Sequence, residues 1–244
     1  MKAFEARHYL VEVALKRAEV PAFDRYPFAM PAVKHLRRIA LHPAVTFVVG
    51  ENGSGKSTLL EAIAVAWGFN PEGGSKNFNF ATRASHSELH RYLTLVRSPR
   101  RAHDGFFLRA ESYFNVATAV ENYGALGSYG GRPLHEQSHG ESFFALLQNR
   151  FGGDGLYILD EPEAALSPTR QLAFLARLHE LVGRDSQFLI ATHSPIIMAY
   201  PNALILAITP RGLKRIAYAE TEHYRVSRAF LLRHEAMLRE LMKE

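Results

Sequence analysis

Gly50-Glu51-Asn52-Gly53-Ser54-Gly55-Lys56-Ser57-Thr58 carries the pattern G-x-x-x-x-G-K-[ST], and its flanks give that pattern a structural setting. Val45-Thr46-Phe47-Val48-Val49 ahead of it is apolar and β-branched, as a strand buried on both faces should be. Thr58 to Trp67 behind it has helix formers at helical spacing and stops at Gly68. Strand, glycine loop and helix together are the geometry that holds a nucleotide phosphate. The glycines let backbone N–H groups turn inward around the β-phosphate, and the helix adds the positive end of its dipole. Asn52, Gly53, Ser54, Gly55, Lys56, Ser57 and Thr58 are the expected binding residues, with Lys56 reaching the β/γ-phosphates and Ser57 ligating Mg2+.

A second apolar strand, Leu156-Tyr-Ile-Leu, runs into Asp160-Glu161-Pro162. Carboxylates at the end of a buried strand cost free energy unless a cation or a hydrogen-bond network compensates them. Asp160 is suited to hold Mg2+, directly or through water, and Glu161 to orient or deprotonate an attacking water. One acid on metal and the next as base suits hydrolysis. A third strand, Gln187-Phe-Leu-Ile-Ala191, ends in Thr192-His193-Ser194-Pro195. Beside the Asp160 strand in a doubly wound sheet, His193 would face the same ligand, because ligands bind outside the carboxyl ends of such strands. It is the expected contact to the γ-phosphate or to the lytic water.

Ser138-His-Gly-Glu141 opens an apolar helix running to Leu147 and has the form of a capping box. It reads either as a plain cap or as a second helix start offering the Ser138 hydroxyl and the Gly140 amide to a phosphate.

The rest of the chain bounds the answer. Its 244 residues contain no cysteine, which excludes disulfides and thiolate metal sites and fits a cytoplasmic protein. No apolar run approaches the ~20 residues of a membrane span, so no membrane insertion of its own is expected. The formal charge of +5 is concentrated in residues 76–109, where Lys76, Arg83, Arg91, Arg97, Arg100, Arg101 and Arg109 face only Glu88 and Asp104. Such a segment is either a solvated surface or a contact for a nucleic-acid backbone or a triphosphate. Leu10–Leu15, Arg91–Val96, Phe106–Leu108, Ala203–Ile208 and Leu213–Ala217 read as strands, the last two as a closing pair. Phe23, Tyr26 and Phe28, among Pro21, Pro27 and Pro31, are either core or a stacking surface for adenine. Helices are expected over 112–123, over 169–182 with Leu172, Leu175, Ala176 and Leu178 on one side, and over 221–242. The last is expected to pack through Val226, Phe230, Met237 and Leu241.

These features, in this order, resemble the ATP-binding cassette (ABC) class of ATPases over about residues 40 to 200. Gly50–Thr58 and Asp160-Glu161-Pro162 are similar to its Walker A and Walker B motifs, and Ser138-His-Gly-Glu141 to its signature, in the form S-x-G-E. Glu163-Ala-Ala-Leu-Ser167 is similar to the D-loop, with Ser167 where aspartate is usual, and His193 to the switch histidine. The place of the family's glutamine falls on Glu111, which would meet Mg2+ or water. The wording of the phosphate loop and of Thr192–Pro195 is closer to soluble members of the class, found in DNA repair, chromosome maintenance and defence, than to transporter subunits. The interval between Ser57 and Ser138 is too short for the long coiled coil of the large members, so the chain is most similar to compact bacterial ATPases described as AAA family.

The resemblance implies an α/β P-loop NTPase fold of ABC type: a mostly parallel core sheet flanked by helices, an N-terminal antiparallel β lobe and a small helical signature lobe. In these terms residues 1–40 form the β lobe, 41–75 and 155–210 the nucleotide-binding core, 112–150 the signature lobe and 221–242 a C-terminal helix. It also implies ATP and Mg2+ as ligands and an ATP-sandwiched homodimer in which Ser138, Gly140 and Glu141 cap the nucleotide of the other copy. DNA, or a nuclease or toxin, is the implied partner. The alternatives are an ABC-transporter ATPase subunit and a slow nucleotide-dependent switch.

Overall fold

The structure is a computed structural model describing residues 9–75, 87–109, 118 and 139–243. The strand ahead of the phosphate loop, β3 (Val45–Val49), is buried at every position and lies inside a six-stranded sheet. It pairs in parallel on one side with β7 (Gln187–Ala191) and on the other with β8 (Leu204–Thr209). Beyond β7 come β6 (Gly155–Asp160) and β5 (Asp104–Arg109), both parallel to it. Beyond β8 the antiparallel β9 (Gly212–Ile216) closes the other edge. The order β5-β6-β7-β3-β8-β9 is thus parallel through five strands. The exposed side of β5 is partly covered, since Gly74 exchanges backbone hydrogen bonds of 2.7 and 3.0 Å with Phe107.

Alternation along these strands divides the core into two layers. Phe107, Ile158 and Val48 point to one face, against Leu59, Leu60, Ile63 and Trp67 of the helix α2 (Lys56–Trp67). Phe106, Tyr157, Leu159, Phe47 and Val49 point to the other. There they meet Phe143, Leu146 and Leu147 of the helix α3 (His139–Asn149) and Phe174, Leu178 and Leu181 of the helix α4 (Pro168–Gly183). Spacings of four and three residues place those α4 positions on one stripe. Of the stripe expected from sequence, Leu178 lies in this core and Leu175 packs against it, whereas Leu172, 60% exposed, and Ala176, also exposed, do not.

A separate antiparallel sheet has the order β2-β1-β4, made of β1 (Leu10–Leu15), β2 (Arg38–Ala40) and β4 (Leu93–Arg97). Its third strand comes from beyond the first forty residues. Arg97 to Gly105 therefore connects the two sheets. A short helix, α1 (Pro31–Lys34), precedes β2. Phe28 is fully buried and meets Tyr92 edge to face at 4.9 Å, so it belongs to the core, whereas Tyr26 is exposed. The Gln187 side chain joins the two sheets. Its Oε1 accepts from the backbone N–H of Tyr9 and Leu10 at 3.0 and 2.9 Å, and its Nε2 donates to the carbonyls of Leu10 and His42 at 2.8 and 3.0 Å.

The C-terminal helix α5 (Glu222–Leu241) forms as the periodicity predicts, with Thr221 as N-cap and a kink at Arg233. It does not pack as expected. None of its residues is buried, and Val226, Phe230 and Leu241 are exposed along with Leu231 and Leu232. The expected helix over 112–123 lies outside the described residues, apart from Thr118.

Candidate active site

The carboxyl ends of β3, β6 and β7 carry the phosphate loop, the acid pair and Thr192-His193 respectively, and adjacency in the sheet brings the three together. Gly53 and Gly55 adopt φ of 76° and 97°, a left-handed backbone that favours glycine, and Gly55 is the N-cap of α2. Lys56 is 4% exposed, and its Nζ donates to the carbonyls of Gly50 and Glu51 at 2.9 and 3.0 Å, so the loop curls around the ammonium. Burial pushes the Lys56 pKa below the ordinary lysine value, opposed by the charges of Glu161, Asp160 and Glu163.

Ser57 Oγ donates to Asp160 Oδ1 at 3.1 Å, joining the phosphate loop to the end of β6. Asp160 is 5% exposed. A magnesium site needs one or two hard protein oxygens, with phosphates and water supplying the rest. Ser57 and Asp160 fit that donor set, and among the described residues there is no cluster of three or more ligating acids or histidines to compete with it.

Glu161 follows with φ 54° and ψ 54°, a left-handed conformation uncommon for a non-glycine residue and met at functional sites. Its backbone N–H donates to the Ala191 carbonyl at 2.9 Å, and its Oε1 stands 3.5 Å from His193 Nε2. His193 is anchored through its main chain, whose N–H donates to Glu163 Oε1 at 2.5 Å, while Thr192 Oγ1 donates to Glu163 Oε2 at 2.7 Å. Burial raises the Glu163 pKa above the carboxylate norm, against these stabilising hydrogen bonds. Burial and the nearby Lys56 charge lower that of His193, against Glu161. Among the described residues, Ser54 Oγ in the loop and His193 Nε2, whose nearest acceptor is Glu161 at 3.5 Å, are buried without a close hydrogen-bond partner. Orphaned donors cost free energy, and both suit the oxygens of a phosphate.

α3 begins elsewhere. Gly140 is buried against the turn Pro162–Ala165 and the start of α4. A Cβ there would lie 2.7 Å from the Ala165 carbonyl oxygen and closer still to Arg170 Nη1. Glu141 Oε1 stands 3.8 Å from Arg170 Nη2. Ser138 and Glu111 lie outside the described residues, as do Lys76 and Arg83 of the basic segment. Several charges of that segment are spent internally. Arg109 Nη1 pairs with Glu61 at 2.6 Å and its Nε approaches Asp160 at 3.8 Å. Arg100 binds Asp154 and Asp185 at 2.6 and 3.1 Å, and Arg97 lies 4.3 Å over the Trp67 ring. Arg91 and Arg101 are exposed.

Four residues of the site escaped the sequence reading. Glu163 was read only as the first residue of the stretch similar to the D-loop, although an acid two residues after Glu161 is itself a signal. Glu61 looks like any helix-surface acid, and Arg109 like any arginine of a basic stretch. His223, from the first turn of α5, places Nε2 2.8 Å from His193 Nδ1 and carries no signal in the sequence. A cavity of about 500 Å³ opens beside the loop, between Gly50–Ser54, Thr209-Pro210 and Glu222-His223.

Comparison with known proteins bears on the fold that carries this arrangement. Residues 30–103 match a family model described as an AAA domain. Residues 125–199 match another, described as an AAA domain, putative AbiEii toxin, Type IV TA system. No curated protein matches the chain. Among solved structures, cbiO1 from Clostridium perfringens, part of the ABC transporter complex cbiONQ, is similar at 17% identity with a TM-score of 0.54. That match covers 96% of this chain and 99% of the other. An SMC head bound to the C-terminal winged-helix domain of ScpA is similar at 12% identity with a TM-score of 0.50, covering 85% and 97%. The SMC head domain from Thermotoga maritima matches at 18% identity with a TM-score of 0.48, covering 86% and 99%. With the phosphate loop, the acid pair and the histidine gathered at one end of such a sheet, the chain has the fold of these ATPase domains, and two of its stretches match AAA-domain models.

Proposed function

We propose that the chain hydrolyses ATP with Mg2+ in a head-to-tail homodimer, working in the cytoplasm and coupled to DNA or to a nuclease or toxin partner. The observation that carries the reading is the Ser57–Asp160 contact at 3.1 Å, with Glu161 next in sequence and 3.5 Å from His193. Ser57 and Asp160 would hold Mg2+, which neutralises charge on the β- and γ-phosphates. The remaining roles belong to the chain itself. Lys56 and the amides of Asn52 to Thr58 bind the phosphates. Glu161 takes a proton from water as the water oxygen bonds to the γ-phosphorus. The bond from that phosphorus to the β–γ bridging oxygen breaks, and ADP leaves with the oxygen and its electron pair. His193 Nε2 donates to a γ-phosphate oxygen.

The α3 start is braced against Arg170 and Ala165, and its resemblance to the signature supports a role for Ser138, Gly140 and Glu141 toward a second copy's nucleotide. ATP would then join two positive helix ends, and its hydrolysis would remove part of that attraction. Glu111 would sit near the metal as the glutamine-loop residue. The toxin-system description of the second family model supports the defence partner, and exposed Arg91 and Arg101 support a polyanion contact.

Glu161→Gln tests the core of this reading. Turnover should fall by about 10² to 10⁴-fold, as for loss of a general base, while ATP binding persists. The variant should sediment as a dimer in saturating Mg-ATP; a monomer there would overturn the sandwich. Turnover of the wild-type chain with double- and single-stranded DNA at two salt concentrations tests the partner, because a phosphate-backbone contact weakens with salt.

A further inference from the structure

We propose that His223 is a positioning residue that fixes the tautomer of His193, so that the C-terminal helix completes the ATP site. The inference rests on the reading of His193 as a γ-phosphate contact. His193 Nδ1 and His223 Nε2 lie 2.8 Å apart with the rings at 67°, so one nitrogen carries the shared proton and the other accepts it. The opposite nitrogen decides which. His193 Nε2 faces Glu161 Oε1 at 3.5 Å and would face a phosphate oxygen when ATP is bound. Both are acceptors, so Nε2 must carry hydrogen. A neutral imidazole has one N–H, which leaves Nδ1 as acceptor and makes His223 Nε2 the donor. Were His223 absent, His193 would be able to place its proton on Nδ1 and present a lone pair to the phosphate.

The position of His223 is itself fixed. Thr221 is 1% exposed, accepts from the Tyr224 N–H at 3.4 Å and donates to the Tyr218 carbonyl at 2.8 Å. Tyr218 OH donates to the Pro195 carbonyl at 2.8 Å, two residues from His193. The first turn of α5 is thereby tethered to the loop carrying the histidine it orients. Burial holds both imidazoles below the ordinary histidine pKa, aided by Lys56 at His193 and by His193 at His223, in keeping with a neutral pair.

The experiment compares His223→Ala, His223→Gln, His193→Ala and the double alanine variant in the full chain. Turnover and KM are measured together with binding of a non-hydrolysable ATP analogue. His223→Ala should lower kcat about 10- to 100-fold, the range for losing the partner that orients a working histidine, with analogue affinity within about twofold. His223→Gln, which keeps an N–H donor, should recover most of kcat. On the His193→Ala background, His223→Ala should change nothing further. Wild-type turnover in His193→Ala would overturn the underlying reading of His193. Lost turnover in His193→Ala with full turnover in His223→Ala would overturn the positioning role alone. So would an additive double variant, or a His223→Gln chain as slow as His223→Ala. Should His223→Ala fail to fold, His223→Gln beside His223→Phe makes the same comparison, the phenylalanine keeping the ring without the donor.

Discussion

Two helix starts, α2 at Lys56 and α3 at His139, look alike as sequence: each has glycine, small polar residues and an apolar run. They differ as structure. At α2 the glycine is needed for its backbone, since Gly55 has φ 97°. At α3 the glycine is needed for its missing side chain, because Ala165 and Arg170 occupy the space. The α2 start gathers Lys56, Ser57 and Asp160 within one chain, whereas the α3 start is braced from behind by the turn that follows Glu161. A helix N-terminus is an anion site only when the groups around it turn it into one.

The largest expected effect separates the two. Lys56→Ala should weaken ATP binding at least about 100-fold by titration calorimetry, since hydrogen bonds from a charged group contribute about 1.5–3 kcal/mol each. Unchanged affinity would break the assignment of α2 as the binding start. Gly140→Ala should instead leave ATP binding to the protomer intact and lower stability by about 1–3 kcal/mol in urea unfolding, the usual cost of overpacking. Adding Arg170→Ala should recover part of that loss by removing one of the two clashes. A Gly140→Ala chain as stable as wild type would mean the brace is not tight.

The smallest effect is that of pH. The folded pKa values of His193 and His223 are depressed, so below about pH 6.5 the unfolded chain binds more protons than the folded one. The stability contributed by this pair is present above that pH and is lost as pH falls through it. Glu163, whose folded pKa is raised, acts in the opposite sense, losing stability as pH rises above the ordinary carboxylate range. The difference between wild type and His223→Gln isolates the histidines: the variant's melting temperature should fall less between pH 7 and pH 5. An identical slope in both would remove the pair from the account.

What the sequence displayed and what it hid have a common physical cause. β3, β6 and β7 are buried at every position, so their apolar runs had one interpretation, and the polar residues at or beyond their ends marked a candidate site. Lys56, Ser57, Asp160, Glu161 and His193 were legible for that reason. Arg109, Glu61 and His223 take their meaning from residues distant in the chain, and local pattern does not encode such pairings. The α5 stripe was real as periodicity, but a stripe states where apolar surface lies and not whether anything covers it. On α4 the apolar positions admitted two phases, and Phe174 and Leu181, not Leu172, set the true one.

Gln187 and His193 stand at opposite ends of β7, some six residue steps or about 20 Å apart. The amide at one end bonds to the backbone of the antiparallel sheet, and the imidazole at the other faces Glu161. β7 is hydrogen-bonded along both flanks, to β3 and β6, and so behaves as a stiff tie-rod. A displacement of the antiparallel sheet along this rod would strain the three bonds that Gln187 makes to Tyr9 and Leu10. The antiparallel sheet and the candidate site are thus joined through one strand of the parallel sheet.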